Sequence, residues 1–227
     1  MKVKICGITR TEDVKTCEYN DTDFIGFINI KRSKRFLEIS EINDLTSCMK
    51  NKNKAVLVIE PADLNEAKYK IKTSGIRNIQ LHSLSPENIR KLKENNPLNT
   101  PLKIIKAIGI SDDIDAQKKR EIETLTPICD FLLFDYQIKG KSGGTGRQIP
   151  IKLVFKAAEI AANIDKNVKL FLAGGMDVER IKTEGKIIED IFDYVDVNSG
   201  VEDQPGIKNP VKINEFIKTI KKERKTN

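Results

Sequence analysis

The sequence predicts an α/β chain folded as a single-domain (β/α)8 TIM barrel over residues 1–227, and three observations predict it. Short apolar, β-branched runs alternate with longer amphipathic ones from end to end, which implies a parallel sheet with right-handed crossovers. There are eight such units, averaging about 28 residues each in a chain of 227, and eight units closing on themselves make a barrel. No Gly-rich dinucleotide loop follows an early strand, as an open doubly wound sheet would usually show. Neither a linker nor a shift in composition divides the chain.

The strand-like runs are VKICGI (3–8), FIGFINI (24–30), AVLVIE (55–60), IRNIQLH (76–82), KIIKAIG (103–109), DFLLFD (130–135), VKLFLAG (168–174) and YVDVN (194–198). Helical patterns lie between them. Thr11, ahead of Glu12 and Asp13, is placed to cap a helix with Val14 and Cys17 on one face. Ser40 is placed to cap a second, carrying Ile42, Leu45 and Met49 at helical spacing. Ser85 caps a third, with Pro86 in its first turn and Ile89 and Leu92 inward. The run from Ser111 to Leu125 buries Ile114, Ile122 and Leu125, and a last helix from about Val211 buries Ile213, Phe216, Ile217 and Ile220.

Composition narrows the class. No apolar run reaches the roughly 20 residues a membrane helix needs, and the first fifteen residues lack the apolar region of a signal peptide. A cytoplasmic protein without membrane contact is expected. Cys6, Cys17, Cys48 and Cys129 are widely spaced and form no C-x-x-C pair, and there is one histidine. That pattern argues against a disulfide framework and against a zinc site. The net charge of +7 comes from 40 basic and 33 acidic residues. The basic residues are dispersed, the dense cluster is the terminal KKERKTN, and no aromatic-basic alternation offers a stacking platform. No nucleic-acid partner is expected, and the modest positive field suits a phosphorylated small molecule. The assembly is expected to be a monomer or a homodimer.

In a barrel, function sits at the C-terminal ends of the strands. Strand 1 ends on Cys6-Gly7. Cys6 is either a small core residue or a base whose thiol nearby cations or a helix N-terminus depress from roughly 8.5. The basic loop after strand 2 holds Arg35, which either forks onto a carboxylate or stays solvated. Strand 4 ends on His82, the lone histidine, either a catalytic base or, as is more usual for a lone histidine, a structural, positioning or substrate-contacting group. Asp135 closes the apolar strand 6, either as a desolvated general acid or as a helix cap or loop hydrogen-bond acceptor. A glycine-rich loop, GKSGGTGR (140–147), follows. Gly174-Gly175 after strand 7, and Asn198 and Ser199 before Gly200 after strand 8, stand where barrels often build a phosphate site from backbone N–H groups. Ordinary tight turns are the other explanation. Asp196 either meets a substrate hydroxyl or braces its loop.

Several stretches then match a family. KICGITRTEDV (4–14), Gly26-Phe27 followed by RSKRF (32–36), IQLH (79–82), LLFD (132–135) with GGTGR after it, LAGGM (172–176) and VDVNSGVEDQPGIKN (195–209) occur together and in order. Across the whole chain they resemble the phosphoribosylanthranilate isomerases of tryptophan biosynthesis. The resemblance implies an Amadori rearrangement of N-(5′-phosphoribosyl)anthranilate with no metal or redox cofactor. It implies that Asp135 is the acid at the furanose oxygen, Cys6 the base at C2′, and Arg35 the holder of the anthranilate carboxylate. Gly174, Gly175, Asn198 and Ser199 would hold the phosphate, and Asp196 a ribose hydroxyl. The chain departs from the family pattern at Ser83 (usually glycine), at Tyr136 (often threonine) and at Ile149–Ile151, where an aromatic-rich segment is usual. The sister isomerase of histidine biosynthesis fits less well, since its early catalytic position is a carboxylate and its early half carries a second phosphate loop. A non-catalytic phosphate-binding barrel is the remaining alternative.

Overall fold

A computed structural model describes residues 1–138, 141–142 and 148–223. Apart from Lys141–Ser142, the glycine-rich stretch 140–147 lies outside the described residues. The barrel strands are β1 (Lys2–Cys6), β2 (Phe24–Asn29), β3 (Ala55–Ile59), β4 (Asn78–Leu81), β5 (Lys103–Ile110), β6 (Phe131–Ile138), β7 (Lys169–Leu172) and β8 (Tyr194–Val197). The helices are α1 (Thr11–Tyr19), α2 (Ile39–Ser47), α3 (Leu64–Ser74), α4 (Pro86–Glu94), α5 (Ala116–Leu125), α6 (Ile151–Ile164), α7 (Val178–Glu189) and α8 (Pro210–Glu223). Each strand pairs in parallel with the next, and β8 pairs with β1, so the sheet closes. Lys141–Ser142 adds an antiparallel extension to the end of β6, and Glu202–Gln204 pairs with Ile207–Lys208 beyond β8. None of the described helices is long and apolar enough to cross a membrane.

Both faces of the strands are buried, which is why they read as continuous apolar runs and not as alternating ones. In β3, Val56 and Val58 point into the barrel, while Ala55, Leu57 and Ile59 pack beneath the helices. The floor of the interior is aromatic. Phe171 stacks on Tyr194 with centroids 4.2 Å apart, and Phe24 and Phe131 meet both rings edge-on or tilted. These rings fill the N-terminal end, so the interior is a packed core below and a cavity above.

The helix ends follow local chemistry, with two corrections. Ser85 accepts from Asn88 N–H with Pro86 in the first turn, and Asp63, Asp115 and Asp177 cap α3, α5 and α7. Ser40 is not a cap. The cap of helix α2 lies two residues earlier, at Glu38, whose side chain exchanges hydrogen bonds with the first turn in a capping box with Glu41. Thr11 is not a cap either. It is the first helical residue, and the preceding Arg10, extended, makes no side-chain cap because a guanidinium has no acceptor to offer the first-turn N–H groups; it turns onto Asp13 at 2.6 Å instead.

Candidate active site

The C-terminal ends of the strands surround a cavity of about 340 Å³. Cys6, Arg35, His82, Asp135, Gly174, Gly175, Asp196, Asn198 and Ser199 all line it. The strand-end argument therefore brings all nine together.

Register explains the convergence. Side chains alternate along a strand, so Lys4 and Cys6 of β1, Asp196 of β8 and Asp135 of β6 all face inward while Ile5, Val195 and Phe134 face the helices. Cys6 is buried at the rim of this interior. Its neighbour across the β1–β2 ladder is Gly26, and a Cβ there would lie 2.9 Å from Cys6 Sγ. Gly7 follows with φ +73°, and a Cβ there would lie 2.7 Å from Asn198 Oδ1 and 3.2 Å from Arg35 Cγ. The strand thus ends on glycine because the next position must turn left-handed while two site residues crowd it.

The thiol sits in a charged nest. Lys4, fully buried, places Nζ 2.7 Å from Asp196 Oδ2. Burial pushes the Cys6 thiol up; the Lys4 and Lys208 ammoniums offset only part of that, and Asp196 adds to it. The net direction is opposite to the depression that would ease a thiol's work as a base, because desolvation outweighs the cations. Burial works against charge on Lys4, yet Asp196 and Cys6 outweigh it and hold the ammonium above its ordinary value. Asp196 is pushed up by burial, with Lys4 opposing. Among the described residues Asp196 Oδ1 has no hydrogen-bond partner.

Asp135 stands at the opposite flank, separated from β1 by β7 and β8. It is 7% exposed, and its Oδ1 accepts from Tyr136 N–H at 2.8 Å. Tyr136 turns outward, its hydroxyl donating to Asp112 Oδ1 at 2.9 Å. His82 lies beside Gln80, with Nε2 of each 2.9 Å apart. Burial and the positive charges of Lys106, Lys4 and Arg32 push its pKa down to about 3, so the ring is neutral. A neutral imidazole fits a positioning role.

Arg35 is buried, not solvated. Its guanidinium grips Glu202 in bidentate fashion, Nε to Oε1 at 3.2 Å and Nη2 to Oε2. Burial alone would raise the Glu202 pKa, but Arg35, Lys208 and the Gly206 N–H hold it below the usual carboxylate range. At the far side, Gly174 and Gly175 take left-handed backbone at φ 80° and 59°. Their carbonyls are engaged by Arg180 Nη1 at 2.9 Å and Gln148 Nε2 at 3.0 Å. The β8 loop packs directly on this one, since a Cβ on Gly200 would lie 2.1 Å from the Met176 carbonyl oxygen. Loops of this kind, leading into the capped N-terminus of α7, suit an anion.

A family model, N-(5′-phosphoribosyl)anthranilate (PRA) isomerase, matches residues 3–219. The chain belongs to the phosphoribosylanthranilate isomerase family. The N-(5′-phosphoribosyl)anthranilate isomerase of Methanothermobacter marburgensis is 34% identical over 210 residues, covering 92% of this chain and 89% of that one. Among solved structures, the phosphoribosyl anthranilate isomerase of Thermotoga maritima superposes with a TM-score of 0.77 at 25% identity, covering 98% of this chain and 99% of that one. A further isomerase structure, in complex with reduced 1-(o-carboxyphenylamino)-1-deoxyribulose 5-phosphate, superposes with a TM-score of 0.75 at 23% identity over 98% of this chain and 99% of that one.

Sequence reasoning missed Lys4, Gly26, Arg180, Glu202 and Lys208 in this member of the family. One signal was available: Lys4 interrupts a run of residues that are otherwise buried and apolar, and a charge there must face an opposite charge.

Proposed function

We propose that the chain catalyses the Amadori rearrangement of N-(5′-phosphoribosyl)anthranilate to 1-(2-carboxyphenylamino)-1-deoxyribulose 5-phosphate, a step of L-tryptophan biosynthesis. The convergence of an acid, a thiol, a carboxylate-binding arginine and two glycine loops in one cavity carries the proposal, and family membership supports it. The substrate is long, with a carboxylate at one end and a phosphate at the other. Arg35 binds the first, and the backbone of Gly174, Gly175, Asn198 and Ser199 binds the second. The sugar is then suspended between Asp135 and Cys6, so orientation does much of the work.

Asp135 gives its proton to the furanose oxygen, and the C1′–O bond breaks to leave a Schiff base. The Cys6 thiolate removes the proton from C2′, and the electron pair moves to form the enolamine. Loss of the enol proton and protonation at C1′ give the ketone. One turnover moves a proton from Asp135 to Cys6, and solvent exchange restores both. Lys4 beside Cys6 favours the thiolate, Asp196 orients Lys4 and meets a ribose hydroxyl, and His82 positions the substrate as a neutral ring.

Loss of anthranilate-type fluorescence on mixing with freshly generated phosphoribosylanthranilate tests the reaction. Cys6→Ala and Asp135→Asn should each lower kcat by about 10²–10⁴-fold, with the fold retained. For the wild type, kcat/KM should climb with pH to a limb above that of an ordinary cysteine, because the free thiol must ionise against its burial. Full activity in either variant overturns the role assigned to that residue.

A further inference from the structure

Beyond the small share its charge takes in offsetting the burial of the Cys6 thiol, Lys208 has no part in the steps above, and its placement is unusual for a lysine. It is 1% exposed and lies in the two-residue strand Ile207–Lys208, opposite Glu202. Its Nζ donates to Asn198 O at 3.0 Å, to Asn198 Oδ1 at 2.8 Å and to Glu202 Oε1 at 2.9 Å. An ammonium has three donors, and all three are engaged. Burying that charge is unfavourable unless it is fully paired; pairing two short strands would not by itself call for it.

What the three bonds connect is informative. Glu202 accepts from Lys208 and from the Gly206 N–H on Oε1, and the same carboxylate receives the fork of Arg35. Asn198, whose two oxygens Lys208 takes, begins the β8 loop and has backbone outside the helical and strand regions, with φ −125° and ψ −86°. One continuous chain of polar contacts therefore runs from the buried Arg35 through the buried Glu202 and Lys208 to the half-buried Asn198. Gly7 closes the arrangement from the side, its backbone lying against both Asn198 and Arg35.

We propose that Lys208 is a positioning residue that joins the carboxylate anchor and the phosphate anchor into one unit, so that filling either end pre-orders the other. This rests on Arg35 and the Asn198 loop being those two anchors. Lys208 touches neither end of the substrate; it acts through Glu202 and Asn198. Two ligands that are seated by one shared element bind cooperatively, and the coupling is reciprocal.

Double inhibition of phosphoribosylanthranilate turnover by inorganic phosphate and anthranilate reads this coupling directly. In the wild type each inhibitor should tighten the other, by about fivefold or more. Lys208→Met should abolish that mutual effect and raise KM by a larger factor than it lowers kcat. Glu202→Gln keeps the shape and leaves Lys208 on Asn198. It should weaken anthranilate selectively, spare phosphate and also reduce the coupling, and it decides the matter alone should Lys208→Met fail to fold. A merely structural lysine would lower thermal stability and leave the coupling at its wild-type value; that result, or independent inhibition in the wild type, overturns the proposal. Arg35→Met separates the two levels. Unchanged anthranilate inhibition in that variant sinks the anchor assignment, whereas weakened inhibition there with intact coupling in Lys208→Met sinks the relay alone.

Discussion

At the scale of single residues, the site is governed by what stands next to the thiol. Gly26 has an ordinary backbone, and its lack of a side chain is used for space: Cys6 Sγ and Lys4 Cε both lie within 3.3 Å of where a Cβ would be. Gly26→Ala should displace the thiol, lower kcat by an order of magnitude or more, and destabilise the fold by about 1–3 kcal/mol through overpacking. Kinetics of the purified variant beside its thermal unfolding curve separates the two effects. Residues of this kind explain the limit of sequence reasoning here. Cys6, Asp135 and the glycine pairs were legible because they stand at strand ends, where a barrel keeps its chemistry. Lys4, Glu202 and Lys208 were not, because a buried charge looks like a surface charge until its partners are known. Lys4 and Asp196 are 192 positions apart in sequence and 2.7 Å apart in space.

At the scale of elements, all eight strands and the order of the helices followed from apolar runs and their spacing. Two caps did not. Helix α2 is started by the reciprocal pair Glu38 and Glu41, whereas Ser40 and Thr11 already lie inside their helices. A Ser or Thr near a helix start has several uses, and which residue turns its side chain back depends on backbone geometry that pattern alone does not fix. The difference is measurable. Glu38→Ala should lower stability by about 1 kcal/mol, and Thr11→Ala should leave it within about 0.5 kcal/mol, both read from denaturant midpoints.

At the scale of the whole molecule, buried thiols set a limit on the alkaline side. Cys17 and Cys129 are buried, and burial raises each to about 12 against an ordinary value of 9.0. The folded state therefore holds these protons where the unfolded chain has released them. Stability is intact below about pH 9 and falls as pH rises from there toward 12. Cys17→Ala should flatten that decline in a pH series of thermal melts, although the cavity it leaves lowers stability near neutrality. An unchanged slope would mean the thiol does not control this limb.

Among the described residues, the aromatic floor of Phe24, Phe131, Phe171 and Tyr194 closes the N-terminal end of the barrel beneath the cavity. Whatever enters between the strand ends must back out by the same route, so arrival of the next molecule waits on departure of the last. Handing material onward along the barrel axis is ruled out by the rings themselves. Traffic with any neighbouring enzyme has to cross the same rim that Arg32 and Glu60 frame with their ion pair.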